Sequence, residues 1–142
     1  MPMTLATAST IVDAALQAGR DHDLMPLSVA VLDAGGHLVA FKREDRSGIL
    51  RFDIAFGKAW GALGMGFGSR ELFNRTAANP TFMAALTAVS GGRVVPVPSG
   101  VLILEHGDII GAVGISGDNS DNDETCALAG IAAAGLEAKT GL

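Results

Sequence analysis

Lys58 stands between Phe56 and Trp60 in a largely apolar stretch, with Arg51 two turns earlier on roughly the same face if that stretch is helical. An ammonium so placed either runs its stem along apolar surface to reach water, or lies beside a cleft. In a cleft it binds a carboxylate or steadies an enolate-like oxygen. Residue type leaves both open. Arg43 and Arg93 are further cations placed to converge with it.

The carboxylates fall in two groups. Asp33 opens the turn Asp33-Ala34-Gly35-Gly36, where an Asp commonly accepts its own backbone N–H groups; the other reading makes it a polar anchor or proton carrier beside a ligand. Ser116 and Gly117 lead into Asp118, Asp121, Asp123 and Glu124. Their spacing does not fit a calcium loop. Asp123 and Glu124 either cap a following helix or act as general base or substrate contact. The field at a helix start lowers a carboxylate pKa, which counts against an acid role.

Ser90-Gly91-Gly92-Arg93 can turn backbone N–H groups toward an anion, but it lacks the spacing and lysine of a phosphate loop. Gly111, Gly114 and Gly117 lie in a strand and its exit, so they are no dinucleotide fingerprint. His22, His37 and His106 show no close metal spacing and read as surface residues, although haem can use a single histidine as axial ligand. Cys126, flanked by Ala127 and Leu128, reads as buried rather than nucleophilic.

These residues need elements to hold them. Thr4 caps a helix with Leu5, Ala8, Ile11, Val12, Ala15 and Leu16 at helical spacing and Gly19 near its end. Leu27 to Leu32 and His37 to Phe41 form a hairpin around the Asp33 turn. Arg51 to Phe67 reads as an amphipathic helix whose glycines weaken it in isolation and permit close packing. Asn79-Pro80 opens a short helix through Leu86, and 71–78 has no clear pattern. Arg93 to Val97 is an edge strand or turn-like crossing because of Pro96. Val101 to Leu104 and Ile109 to Ile115 form a second hairpin. Asp121 or Asp123 caps a last helix through Ala138. Two hairpins favour an antiparallel α/β sheet of the α+β type covered by helices.

The 142 residues suit one domain, 1–142. Apolar residues make up 49% of the chain, yet large rings are few, with six Phe, one Trp and no Tyr. Aliphatic and glycine packing must dominate, and the surplus aliphatic surface predicts a homo-oligomer. A net charge of −5 argues against a nucleic-acid partner. Nine of the ten basic residues lie at or before Arg93, and only Lys139 faces seven acids beyond it, so the first half could attract an anionic ligand. One cysteine excludes an intrachain disulfide. No membrane span or export signal is apparent, which predicts a cytoplasmic protein.

The chain resembles the GlcG/HbpS haem-binding-like family, which includes the C-terminal domain of PduO-type corrinoid adenosyltransferases. The match runs from Val29-Ala30-Val31-Leu32-Asp33-Ala34-Gly35-Gly36-His37-Leu38 with Arg43 through Ile54-Ala55 and Lys58-Ala59. It continues in Gly91-Gly92 with Pro96, Gly107, Ile110-Gly111-Ala112-Val113-Gly114-Ile115-Ser116-Gly117, Asp123-Glu124 and Ala129-Gly130. The resemblance implies a five-stranded antiparallel sheet layered with helices, dimers or larger oligomers, and a ligand such as haem or a corrinoid. It supports no particular histidine as an iron ligand.

Two functions follow. The first is a small-ligand-binding accessory or sensor protein, its ligand haem, a corrinoid or a small anionic metabolite, with Arg43, Arg51, Gly91, Gly92, Arg93, Ser116 and Gly117 around the ligand. The second is a cofactor-free isomerase, lyase or hydrolase in which Lys58 holds a carboxylate or oxyanion and Asp33, Asp123 or Glu124 moves the proton. Both expect the loops near Gly35, Gly92 and Gly117 to meet the Lys58 face around one hollow.

Overall fold

The computed structural model describes residues 2–142. Its elements are α1 (Leu5–Asp21), β1 (Ser28–Asp33), β2 (Leu38–Arg43), α2 (Arg51–Met65), α3 (Ser69–Ala78), α4 (Pro80–Ser90), β3 (Gly100–Glu105), β4 (Asp108–Ser116), α5 (Ser120–Ala133) and β5 (Glu137–Lys139). The five strands form one antiparallel sheet in the order β2-β1-β4-β3-β5. Alternate residues of a strand face opposite sides, and this divides the core in two. Val29, Val31, Val101, Ile103, Val113 and Ile115 meet α1 and α5. Leu32, Leu102 and Ala112 meet Ala59 and Ala62 of α2 on the other side. Ile11, Ile103, Ile115 and Ile131 are fully buried, each worth about 1.5–3 kcal/mol.

α1 begins as expected, with Thr4 Oγ1 accepting from the Thr7 N–H at 3.1 Å. Its buried positions, Ala8, Ile11, Val12, Ala15 and Ala18, form the stripe that packs on α5 and the sheet. On the other face small residues decide the geometry of α2. A Cβ at Gly114 would lie 1.9 Å from the Ala55 carbonyl oxygen, and one at Gly100 would lie 2.1 Å from that of Lys58. The helix backbone therefore rests directly on β4 and β3, which brings Lys58 to the start of β3 and the end of β4.

Of the two readings of Arg93–Val97, the turn-like crossing holds and the edge strand does not: the segment passes over α2, with the Val95 N–H donating to the Gly57 carbonyl at 3.3 Å. The fifth strand is β5, which pairs with β3 from Leu102 to Leu104. Correspondingly, α5 stops at Ala133 rather than Ala138, because the chain turns through Gly135 at φ 71° and the Leu136 N–H returns to the Ile131 carbonyl. Its cap is Asn119, whose side chain accepts from the Asn122 N–H at 2.8 Å, not Asp121 or Asp123. The segment without a clear pattern belongs to α3.

Candidate functional site

β1 and β4 run side by side, pairing Ser28 with Ser116 and Asp33 with Gly111. At about 3.4 Å per residue these two ends lie roughly 17 Å apart. The expected single hollow is thereby divided, with Lys58, Asp123 and Ser116 near one end and the Asp33 turn at the other.

At the first end Lys58 does not reach water. Its side chain is 3% exposed and that of Asp123 is 1% exposed, with Nζ 3.6 Å from Asp123 Oδ2. Nζ donates to the Ile115 carbonyl at 2.9 Å and to Ser99 Oγ at 3.0 Å. Ser99 Oγ in turn donates to the Ile115 carbonyl at 2.6 Å. Ser99 holds φ 92°, an uncommon conformation for a residue with a Cβ. Burial lowers the Lys58 pKa, partly offset by Asp123. Burial likewise raises that of Asp123, against the Asp118 N–H and the Lys58 charge. Asp123 Oδ1 accepts from the Asp118 N–H at 3.0 Å, whereas Oδ2 has no hydrogen-bond partner. The ammonium thus hydrogen-bonds Ser99 and Ile115 and forms an ion pair with Asp123, an arrangement that ties α2 to β4 and α5.

The remaining sequence candidates near this end are also engaged. Arg51 Nη1 donates to the buried Ser116 Oγ at 3.0 Å. A Cβ at Gly117 would lie 2.3 Å from the Pro26 carbonyl oxygen, so this glycine permits a close chain crossing. Glu124 accepts from Arg70 Nε and Nη2 at 3.0–3.2 Å, and Asp121 also pairs with Arg70. Arg70 was not expected from the sequence, because its partners lie more than fifty positions away. Arg43 lies apart, on a pocket of about 420 Å³ with Arg20, Pro26, Glu44 and Asp45.

Gly91 and Gly92 do not form an anion nest. Their N–H groups donate to Ala88 and Thr87 at the end of α4, in the manner of a helix C-cap, with φ of 63° and 80°. Arg93 lies over the Trp60 ring, 4.1 Å from its centroid.

At the far end, Asp33 Oδ1 accepts from the Gly35 N–H at 2.9 Å, the His37 N–H at 3.0 Å and His37 Nδ1 at 3.2 Å. The His37 N–H is the largest cause holding the Asp33 carboxyl below its usual pKa, with the Gly35 N–H adding to it. Asp33 is therefore an ionised acceptor. By accepting a hydrogen bond from Nδ1–H, it favours the tautomer whose lone pair lies on Nε2. The His37 side chain is 81% exposed. It borders a pocket of about 400 Å³ lined also by Pro2, Met3, Asp33, Ile109 and Ile110. The four-residue spacing of Asp33 and His37 across a turn is the one sign of this pairing in the sequence.

Among the described residues no cluster of three or more His, Cys, Asp or Glu could hold a metal ion. No described helix is long and apolar enough to cross a membrane.

The five-stranded architecture recurs in solved structures. The PduOC–haem complex superposes with a TM-score of 0.87 at 24% identity, covering 100% of each chain. A double mutant of HbpS from Streptomyces reticuli gives 0.79 at 30% identity, covering 93% of this chain and 86% of the other. By sequence, a 15.0 kDa protein from the dhaT-dhaS intergenic region of Citrobacter freundii is 27% identical over 125 residues, 88% of this chain and 87% of that protein. Residues 3–132 match the family described as haem degrading protein HbpS-like. With that match spanning nearly all of the sheet and its covering helices, the chain belongs to the HbpS-like family.

Proposed function

We propose that this chain is a small-ligand-binding accessory or sensor protein that would take haem at the Asp33–His37 turn, held through His37 Nε2. The observation that carries this reading is the Asp33 Oδ1 to His37 Nδ1 contact of 3.2 Å beside an apolar pocket. A carboxylate behind the other ring nitrogen is the usual support of a ligating histidine, since it sets the tautomer and raises basicity. Pro2, Met3, Ile109 and Ile110 offer the apolar surface that a macrocycle needs. The family description and the haem complex of PduOC point the same way. Bound haem supplies an iron centre suited to redox change or gas binding.

Self-association belongs to the same reading. α4, PTFMAALTAVS, carries no charge, buries only Ser90 and leaves Val89 86% exposed. The cofactor-free isomerase, lyase or hydrolase has weaker support, because Lys58 and Asp123 are shut away facing each other.

Titration with haemin tests the proposal. The wild type should give a saturable Soret shift that His37→Ala abolishes, while His22→Ala and His106→Ala keep it. Asp33→Asn should weaken binding about tenfold or more, as for other supporting residues of a ligating histidine. A wild type without saturation, or His37→Ala with an unchanged spectrum, overturns the assignment. A parallel cobalamin titration separates a corrinoid from haem.

A further inference from the structure

A second cleft lies on the outer side of α2, and none of its lining residues lines the His37 pocket. The crossing segment places Arg93 against this helix. A Cβ at Gly57 would lie 2.3 Å from the Arg93 carbonyl oxygen, so the backbone there is in direct contact with the helix. The guanidinium stacks on Trp60, and Nε donates to the Ser90 carbonyl at 3.1 Å. Two independent restraints thus orient the group. Nη1 and Nη2 have no partner among the described residues, leaving a fixed fork of the shape that takes a carboxylate through two parallel bonds.

The fork borders a cleft of about 300 Å³ lined by Asp53, Ile54, Phe56, Gly91, Gly92, Arg93 and Val95. This volume is at the small end of ligand sites. Ile54, Phe56 and Val95 give it an apolar wall. Asp53, exposed in the first turn of α2 and likewise without a partner among the described residues, supplies an acceptor for a cation. Side chains at Gly91 or Gly92 would project into open space, so the glycine pair leaves the mouth clear.

We infer that this cleft binds a zwitterionic α-amino acid with an aliphatic side chain. Its carboxylate lies on Arg93, its ammonium on Asp53, and its side chain against Ile54, Phe56 and Val95. A plain carboxylate leaves Asp53 unmatched, and an amine leaves the Arg93 fork unmatched. A ligand carrying both charges and an apolar body engages the whole lining.

Trp60 is the sole tryptophan and the chain has no tyrosine, so emission excited at long wavelength reports on the ring beneath Arg93 alone. L-leucine should give saturable heat in calorimetry together with a saturable change in Trp60 emission. Its deaminated analogue 4-methylpentanoate and its decarboxylated analogue 3-methylbutylamine should each bind at least about tenfold more weakly. That ratio corresponds to roughly 1.4 kcal/mol for each lost charge contact. Arg93→Gln should lose the leucine response, and Asp53→Asn should level leucine with 4-methylpentanoate. Both positions are exposed, and circular dichroism checks that each variant is folded. Absence of both heat and emission change with leucine overturns the inference, as does equal binding of 4-methylpentanoate by the wild type or an unchanged response in Arg93→Gln.

Discussion

Replacing Lys58 by Met keeps the length of the side chain and removes its charge. The variant loses charged hydrogen bonds of 2.9 Å to Ile115 and 3.0 Å to Ser99, and it leaves Asp123 as a buried carboxylate whose Oδ2 has no hydrogen bond. Relief of the buried ammonium offsets part of this loss. Removing one member of a buried pair typically costs about 3–5 kcal/mol, and we take about 3. With about 2.1 cal/mol/K of unfolding entropy per residue over this chain, that lowers Tm by roughly 10 °C. Guanidinium unfolding at pH 7, followed by Trp60 emission and circular dichroism, measures the deficit. Lys58→Met/Asp123→Asn should recover at least about 1 kcal/mol, because no unpaired charge remains.

The pH dependence gives a second reading of the same variant. Burial already raises the Asp123 pKa above its usual value, and the Lys58 charge and hydrogen bond oppose that rise. Without Lys58 the folded-state pKa moves higher still. The folded variant then holds a proton that the unfolded chain lacks, over a window extending from the usual value of 3.8 up to the folded one. In that window stability increases as pH falls. The gap between wild type and Lys58→Met should therefore narrow from neutrality toward pH 4. A variant within about 1 kcal/mol of wild type at pH 7, or a gap that does not change with pH, refutes the structural role of the pair.

Gly114→Ala should cost at least about 2 kcal/mol in the same unfolding assay, because its Cβ would lie 1.9 Å from the Ala55 carbonyl oxygen and backbone must move to admit it. The Cys126 thiol is buried and its pKa is pushed up to about 11 by desolvation and the nearby Asp123 and Asp118. It should resist Ellman's reagent at pH 8 in the native protein and react fully once unfolded. Asp33, with its pKa lowered by the His37 and Gly35 N–H groups, contributes stability that is present above pH 3.8 and lost as pH falls through the lower folded value. Asp33→Ala should therefore show a shallower acid loss of stability than wild type, measured by circular dichroism from pH 5 to pH 2.

The fold was most legible where burial follows a regular period. The stripe from Ala8 to Ala18 follows one face of α1, and the two hairpins show as short apolar runs around glycine-bearing turns. β5 carried no such signal: Glu137-Ala138-Lys139 is three residues long, largely exposed and free of β-branched side chains. Val94, Val95 and Val97 have the β-branched character, but the segment packs on a helix, where Gly57 receives Val95 and Gly61 receives Val94. α3 buries only Ser69, Leu72 and Thr76, too sparse a stripe to stand out.

The site was legible in its residue types and illegible in its pairings, since Lys58 meets Asp123 and Arg70 meets Glu124 only through the sheet and α5. That difference separates the cations by what they can do. α2 lies so close on Gly100 and Gly114 that a long polar side chain on its inner side must find protein partners, and Lys58 does. Its outer side carries Phe52, Phe56 and Trp60 four residues apart, half-exposed, where an arginine from the crossing segment can rest on a ring and still present donors outward. A cation completed by the protein contributes to stability, whereas one oriented but incomplete is available to a ligand. On that physical ground Arg93, and the backed but open imidazole of His37, are better binding groups than the buried lysine.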